Sequence, residues 1–233
     1  MTIGSETAWA RGHKDRLVGA ILADYSLAVS DERSAIFMAG LPGAGKTEFA
    51  NGLLQILQPG SMVRLDMDEI ATKIEGYTPR EADRFRSGAS IILARAIDEV
   101  LRQKMNFLLD GTFGHKRAIE NVQRALGMGY AVKIFYVVQD PRVAWNFTKQ
   151  REKIEHRAIS LEGFVNAFFN TPRNIFDLMS QKYDKMGVTI IRKDNTNAEV
   201  GRQENINLQM MGEFIRTEIK QYDKDSLRRC IND

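Results

Sequence analysis

The segment Gly40-Leu41-Pro42-Gly43-Ala44-Gly45-Lys46-Thr47 constrains the fold of this chain more than any other feature. A G-x-x-x-x-G-K-[ST] run works only when it joins a strand to a helix. Its glycines let successive backbone N–H groups turn inward as an anion nest, and the helix that follows adds the positive end of its dipole. Lys46 then reaches the β and γ phosphates of a nucleotide, and the Thr47 hydroxyl ligates Mg²⁺. Gly40, Pro42, Gly43, Ala44, Gly45, Lys46 and Thr47 are therefore expected to hold ATP or GTP. The flanking sequence supplies the required context. Ser34 to Met38 reads as a short buried strand, and Phe49, Ala50, Leu53, Leu54 and Leu57 give the next segment one apolar helical face before Pro59-Gly60 stops it.

The rest of the chain alternates in the same way. Val18, Ile21, Leu22 and Tyr25 form a helical stripe ahead of the first strand. A second strand, Met62 to Leu65, runs into Asp66-Met67-Asp68-Glu69. Thr78-Pro79-Arg80-Glu81 has the form of a capping box with proline at the first helical position, so a long helix is expected from there to about Gln103. Its buried face would be Phe85, Ala89, Ile92, Ala96 and Val100. The third strand, Asn106 to Leu109, ends in Asp110-Gly111-Thr112, and a helix through Ile119, Val122 and Leu126 closes at Gly127 to Gly129. The fourth strand, Ala131 to Val138, precedes the cap pair Asp140-Pro141. Helices are expected from Ser160 and again from Thr171-Pro172, then a fifth strand at Val188 to Ile191 and a C-terminal helix around Phe214 to Tyr222.

Such alternation predicts an α/β fold: a P-loop kinase-like parallel sheet with helices on both faces, an N-terminal helix, and helical lid and C-terminal additions. Residues 1–33 read as the helical preface and 34–233 as one kinase domain, with a lid at about 151–160. At 233 residues and 43% hydrophobic, the chain can bury a full core. The net charge is only +3, which argues against a nucleic-acid surface. Cys230 is the one cysteine, so no internal disulfide forms and a reducing compartment is expected. The run from Ala131 to Val138 is interrupted by Lys133, far short of the roughly 18 apolar residues of a membrane span. Met1 to Arg11 lacks an apolar signal core, so a cytoplasmic location is expected.

Ligands of open parallel sheets bind outside the carboxyl ends of the strands, where Asp66, Asp68 and Asp110 fall. One of these carboxylates should accept the proton of an attacking hydroxyl, and another should orient Mg²⁺ or the acceptor. The same acids could simply cap the helices that follow. Arg151, Lys153, His156 and Arg157 form a basic cluster placed where a mobile lid would meet the migrating phosphoryl group, with a solvated helix end as the plain alternative. His13, His115 and His156 are scattered without metal-ligand spacing. Phe164, Phe168, Phe169 and Phe176 read as core.

Taken in order, these motifs resemble the zeta toxin family, the kinase toxins of bacterial toxin–antitoxin pairs. The resemblance covers roughly Ser34 to Tyr183: the Walker A form G-x-P-G-x-G-K-T, Asp-x-Asp after the second strand, an acidic residue with Gly-Thr after the third, and two lid arginines ahead of a helical hairpin. It implies that Asp68 is the base for the acceptor hydroxyl, that Asp110 and Thr112 hold the sugar with Asp66 beside them, and that Arg151 and Arg157 are the lid arginines. The implied reaction moves the γ-phosphoryl group of ATP or GTP to the 3′-hydroxyl of the amino sugar of UDP-N-acetylglucosamine, with an antitoxin protein as partner. Asp110 stands where the family usually has glutamate, and Ala71 and Glu75 lie near its usual arginine and proline. Two other readings fit the residues: a P-loop kinase of another small molecule or of a polynucleotide, and a nucleotide-dependent switch that passes phosphate only to water.

Overall fold

The computed structural model describes residues 5–25, 28–155 and 158–232. Five parallel strands form the heart of the sheet: β1 (Ser34–Gly40), β2 (Val63–Asp66), β3 (Phe107–Asp110), β4 (Ala131–Val138) and β5 (Met186–Lys193). A sixth, β6 (Glu199–Gln203), runs antiparallel to β5, and the order across the sheet is β2-β3-β1-β4-β5-β6. The antiparallel edge lies outside the expected parallel set. Its residues, Glu-Val-Gly-Arg-Gln, are mostly exposed and carry no apolar alternation that would mark a strand.

The helices are α1 (Ser5–Leu22), α2 (Lys46–Gln55), α3 (Met67–Ala71), α4 (Ala82–Arg102), α5 (Lys116–Gly127), α6 (Pro141–Glu155), α7 (Leu161–Met179), α8 (Leu208–Phe214) and α9 (Lys224–Asn232). Adjacent residues of a strand point to opposite faces. Phe135 of β4 meets Phe49 of α2, whereas Tyr136 meets Phe214 of α8, so helices cover both sides of the sheet. The expected inner face of α4 is buried at Phe85, Ala89, Ile92, Ala96 and Val100. Each large side chain there contributes about 1.5–3 kcal/mol of burial. The N-terminal helix α1 packs along α4, with Ala10 against Gly88 and buried Glu6 paired to Arg84 at 2.6 Å.

Two local signals resolve differently from their sequence reading. Thr78 is extended and its hydroxyl meets Glu81 side chain to side chain at 3.3 Å, but Pro79–Glu81 is a 3₁₀ turn and α4 starts at Ala82. Thr171-Pro172 starts no new helix, because α7 runs through both. Proline inside a helix forfeits a backbone bond at a cost of about 3 kcal/mol. Around it Phe164, Val165, Phe168, Ile175 and Leu178 are all buried, and this continuous apolar face outweighs the break.

Candidate active site

β1 is flanked by β3 on one side and β4 on the other, which makes its carboxyl end the point where the strand order reverses. The P-loop turns there with Gly40, Gly43 and Gly45 at φ of 140°, 78° and 82°. All three positions are also closed by neighbours, Gly40 by the Val137 carbonyl oxygen, 2.3 Å from where its Cβ would stand. A Cβ on Gly43 would lie 2.1 Å from the Ala144 carbonyl oxygen of α6, and one on Gly45 would lie 2.1 Å from Asn197 Oδ1 in the β5–β6 turn. The loop is thus clamped between the start of α6 and that turn. Gly45 is the left-handed N-cap of α2, so the helix N-terminus opens onto the loop.

Lys46 donates from Nζ to the Leu41 carbonyl at 2.6 Å. Its pKa is lowered to about 8, chiefly by loss of solvent around its ammonium; Asp110 opposes the change, Arg151 adds to it, and Asp68 and Glu48 oppose it. Asp110 and Asp68, at the ends of β3 and β2, and Arg151 of α6 thus all act electrostatically on the P-loop lysine. The Thr47 hydroxyl donates to Asp110 Oδ2 at 3.2 Å. Asp110 is buried, and burial followed by the charge of Asp66 raises its pKa, while Lys46, Arg64 and Thr47 pull it back.

Asp66 and Asp110 are register partners at the ends of β2 and β3. Asp66 caps α3, accepting the Asp68 backbone N–H, and Asp68 is exposed on the first turn of that short helix. Beside Asp68 lies a shallow concavity of about 20 Å³, room for about one water, walled by Met67, Tyr77, Asp83, Arg86 and Ile159. A larger one of about 290 Å³, bordered by Leu41, Tyr136, Phe168, Phe214 and Tyr222, lies elsewhere and touches none of the three strand-end acids. Thr112 serves the backbone: its carbonyl accepts from Gly40 N–H at 3.2 Å and from the Thr171 hydroxyl at 2.8 Å. Asn174 holds the next carbonyl, that of Phe113, whose φ of 62° is unusual for a non-glycine. The helix α7 therefore fixes the turn after β3.

Arg151 and Lys153 lie on α6 rather than in a segment between helices, because α6 continues to Glu155. Arg157 and His156 lie outside the described residues. Arg64 escaped the sequence reading. Its guanidinium links Asp66 Oδ2 and Asp110 Oδ2, both at 3.1 Å, and reaches Asn51 Oδ1 of α2 at 2.9 Å. A charged residue inside a four-residue strand, two places before an acid, was the available signal. Among the described residues no group of three or more His, Cys, Asp or Glu side chains could hold a metal ion. Mg²⁺ binds through one or two protein oxygens together with phosphate and water. Thr47 and Asp110, hard oxygen donors in contact, fit that requirement.

The model of the Zeta toxin family matches residues 22–204 of the chain. A solved structure described as the PezAT chromosomal toxin–antitoxin system of the human pathogen Streptococcus pneumoniae superposes with a TM-score of 0.66. It covers 95% of this chain and 93% of that chain at 17% identity. The crystal structure of AvrRxo1-ORF1:-ORF2 with ATP gives a TM-score of 0.63 over 91% of this chain and 73% of that chain, at 12% identity. At these identities the likeness is one of fold. Comparison with curated proteins gives no match. Among the described residues no helix is long and apolar enough to cross a membrane.

Proposed function

The chain belongs to the zeta toxin family and is a nucleotide-dependent phosphotransferase, and from that premise we propose that it transfers the γ-phosphoryl group of ATP to the 3′-hydroxyl of the amino sugar of UDP-N-acetylglucosamine. The observation that carries this reading is the shared electrostatic neighbourhood of Lys46, Asp68, Asp110 and Arg151. The P-loop amides and Lys46 hold the phosphates, and Thr47 with Asp110 would hold Mg²⁺, which when bound would offset phosphate charge. Asp68 takes the proton of the acceptor hydroxyl as the new O–P bond forms and the bond to the bridging oxygen of ADP breaks. Arg151, with Arg157 of the same basic segment, meets the charge on the migrating group. Asp66 sets the position of Asp68, and Thr112 joins Asp110 at the acceptor.

Likeness to solved toxin–antitoxin structures supports an antitoxin partner for this chain too. The reaction is tested by incubating the protein with ATP, Mg²⁺ and UDP-N-acetylglucosamine and following the sugar nucleotide by mass spectrometry. A singly phosphorylated product is expected. Phosphorylation of a different compound from a cell extract, with none of the UDP-sugar, would replace the acceptor. Release of free phosphate alone would replace the kinase reading with the switch.

A further inference from the structure

We propose that Arg64 is an internal counter-cation that keeps free divalent metal off the paired carboxylates of Asp66 and Asp110, so that the site accepts metal only together with a nucleotide triphosphate. The inference rests on the nucleotide-binding reading of the P-loop and goes beyond it.

Arg64 and Asp66 are two residues apart on β2 and so point to one face of the sheet. Asp110 is the register partner of Asp66 on β3, which sets two carboxylates side by side at neighbouring strand ends. Adjacent carboxylates repel each other and form the oxygen pair that a hard divalent cation takes readily. Here the Arg64 Nη2 already occupies both, at 3.1 Å from Asp66 Oδ2 and 3.1 Å from Asp110 Oδ2. The three side chains are only 18%, 16% and 5% exposed, so water screens them weakly. Nη1 is tied to Asn51 Oδ1 at 2.9 Å, and Asn51 lies on α2, the helix that carries Lys46 and Thr47. The guanidinium is therefore held by three elements, with one nitrogen shared between the two carboxylates and another on the Asn51 amide oxygen.

Asp110 Oδ2 is the oxygen at which this arrangement meets the nucleotide machinery, since it also accepts the Thr47 hydroxyl. With Arg64 in place, a bare divalent cation arriving here meets a carboxylate pair with one of its two charges already offset and the nearest oxygen of each already engaged. A metal carried on a triphosphate brings its own anionic ligands and is drawn by the P-loop amides and Lys46 instead. Arg64 is a positioning residue on this view, and its effect is on which form of metal enters.

The test uses Mn²⁺ as a paramagnetic probe, titrated into nucleotide-free protein and read by electron paramagnetic resonance. Arg64→Gln should bind free Mn²⁺ at least tenfold more tightly than wild type, whereas Arg64→Lys, which keeps the charge, should resemble wild type. Circular dichroism checks that each variant is folded. Should Arg64→Gln fail to fold, Asn51→Ala releases one anchor of the guanidinium and should give a smaller gain in the same direction. Equal Mn²⁺ binding by wild type and folded variants would overturn the proposal, as would tight binding of free Mn²⁺ by wild type. Calorimetry of ATP with Mg²⁺ on the wild-type protein reports separately on the nucleotide site, so its failure is distinguishable from failure of the Arg64 role.

Discussion

The Asp66 carboxylate accepts the backbone N–H of Asp68 at 2.8 Å, so the first acid of the pair fixes where the second one stands. This relationship separates their roles. Asp68→Asn keeps size and polarity but loses the base, and acceptor phosphorylation should fall about 10²- to 10⁴-fold with nucleotide affinity preserved. Asp66→Asn retains a carbonyl oxygen to cap α3 and should lose less. Steady-state rates and nucleotide affinities of both purified variants check the assignment. The reverse order of losses would move the base to Asp66.

Lys46→Ala should abolish turnover and leave the far-UV circular dichroism unchanged if, as proposed, Lys46 acts as a charge on the phosphates; it is not among the buried apolar core residues. The pH dependence follows from its lowered pKa of about 8. Below that value the free protein carries the ammonium. As pH rises through it the charge is lost, and ATP affinity should fall about tenfold per pH unit. Bound phosphates hold the proton, so the decline should appear in affinity and kcat/KM and not in kcat. Lys46→Arg should lack this limb. A flat affinity from pH 7 to 9.5 in wild type would show that the lysine charge is not lost in this range.

Arg151→Ala should lower kcat by more than it weakens ATP binding, because charge on the transferred group is greatest in the transition state. Its electrostatic reach to Lys46 places it near enough to act. Single-turnover rates and equilibrium binding on the same variant measure the two effects. An unchanged rate would make this end of α6 a solvated surface.

Much of this arrangement is legible in the sequence, because its signals are local. The P-loop, the five apolar runs that became parallel strands and the acids that follow β2 and β3 each declare themselves within about ten residues. What the sequence hid depends on contacts between distant segments. Arg64 matters only once register sets Asp66 beside Asp110. Thr171-Pro172 looks like a helix start until Thr171 is seen to hold the Thr112 carbonyl, 59 positions away in the chain. The strand β6 has no pattern of its own and exists because β5 offers it an edge. Asn197, pressed against Gly45, is equally silent in the sequence.

Stability should respond to acid through Glu99, away from the catalytic groups. Its carboxylate accepts from Arg102, from Gln103 Nε2 at 2.6 Å and from Arg95 Nη1 at 2.8 Å, and these bonds lower its pKa to about 2. A depressed carboxylate stabilises the fold above its ordinary titration range, and that contribution is lost as pH falls toward about 2. Glu99→Gln should therefore cost about 1–3 kcal/mol at pH 7, with the gap to wild type closing below the ordinary glutamate range. Urea unfolding of both proteins at several pH values measures it. A gap independent of pH would assign the loss to packing.

The position of β1 between β3 and β4 has a consequence for synthesis. A chain emerging from the ribosome delivers the P-loop strand first, yet both strands that flank it are made later, the second ending at Val138. Until then β1 has a bare edge, and Gly43 lacks the Ala144 carbonyl that closes over it. Pairings between distant segments form slowly even in the finished chain. Nascent fragments thus carry the phosphate-binding sequence without the site, and phosphoryl transfer can begin only after more than half of the polypeptide has been translated.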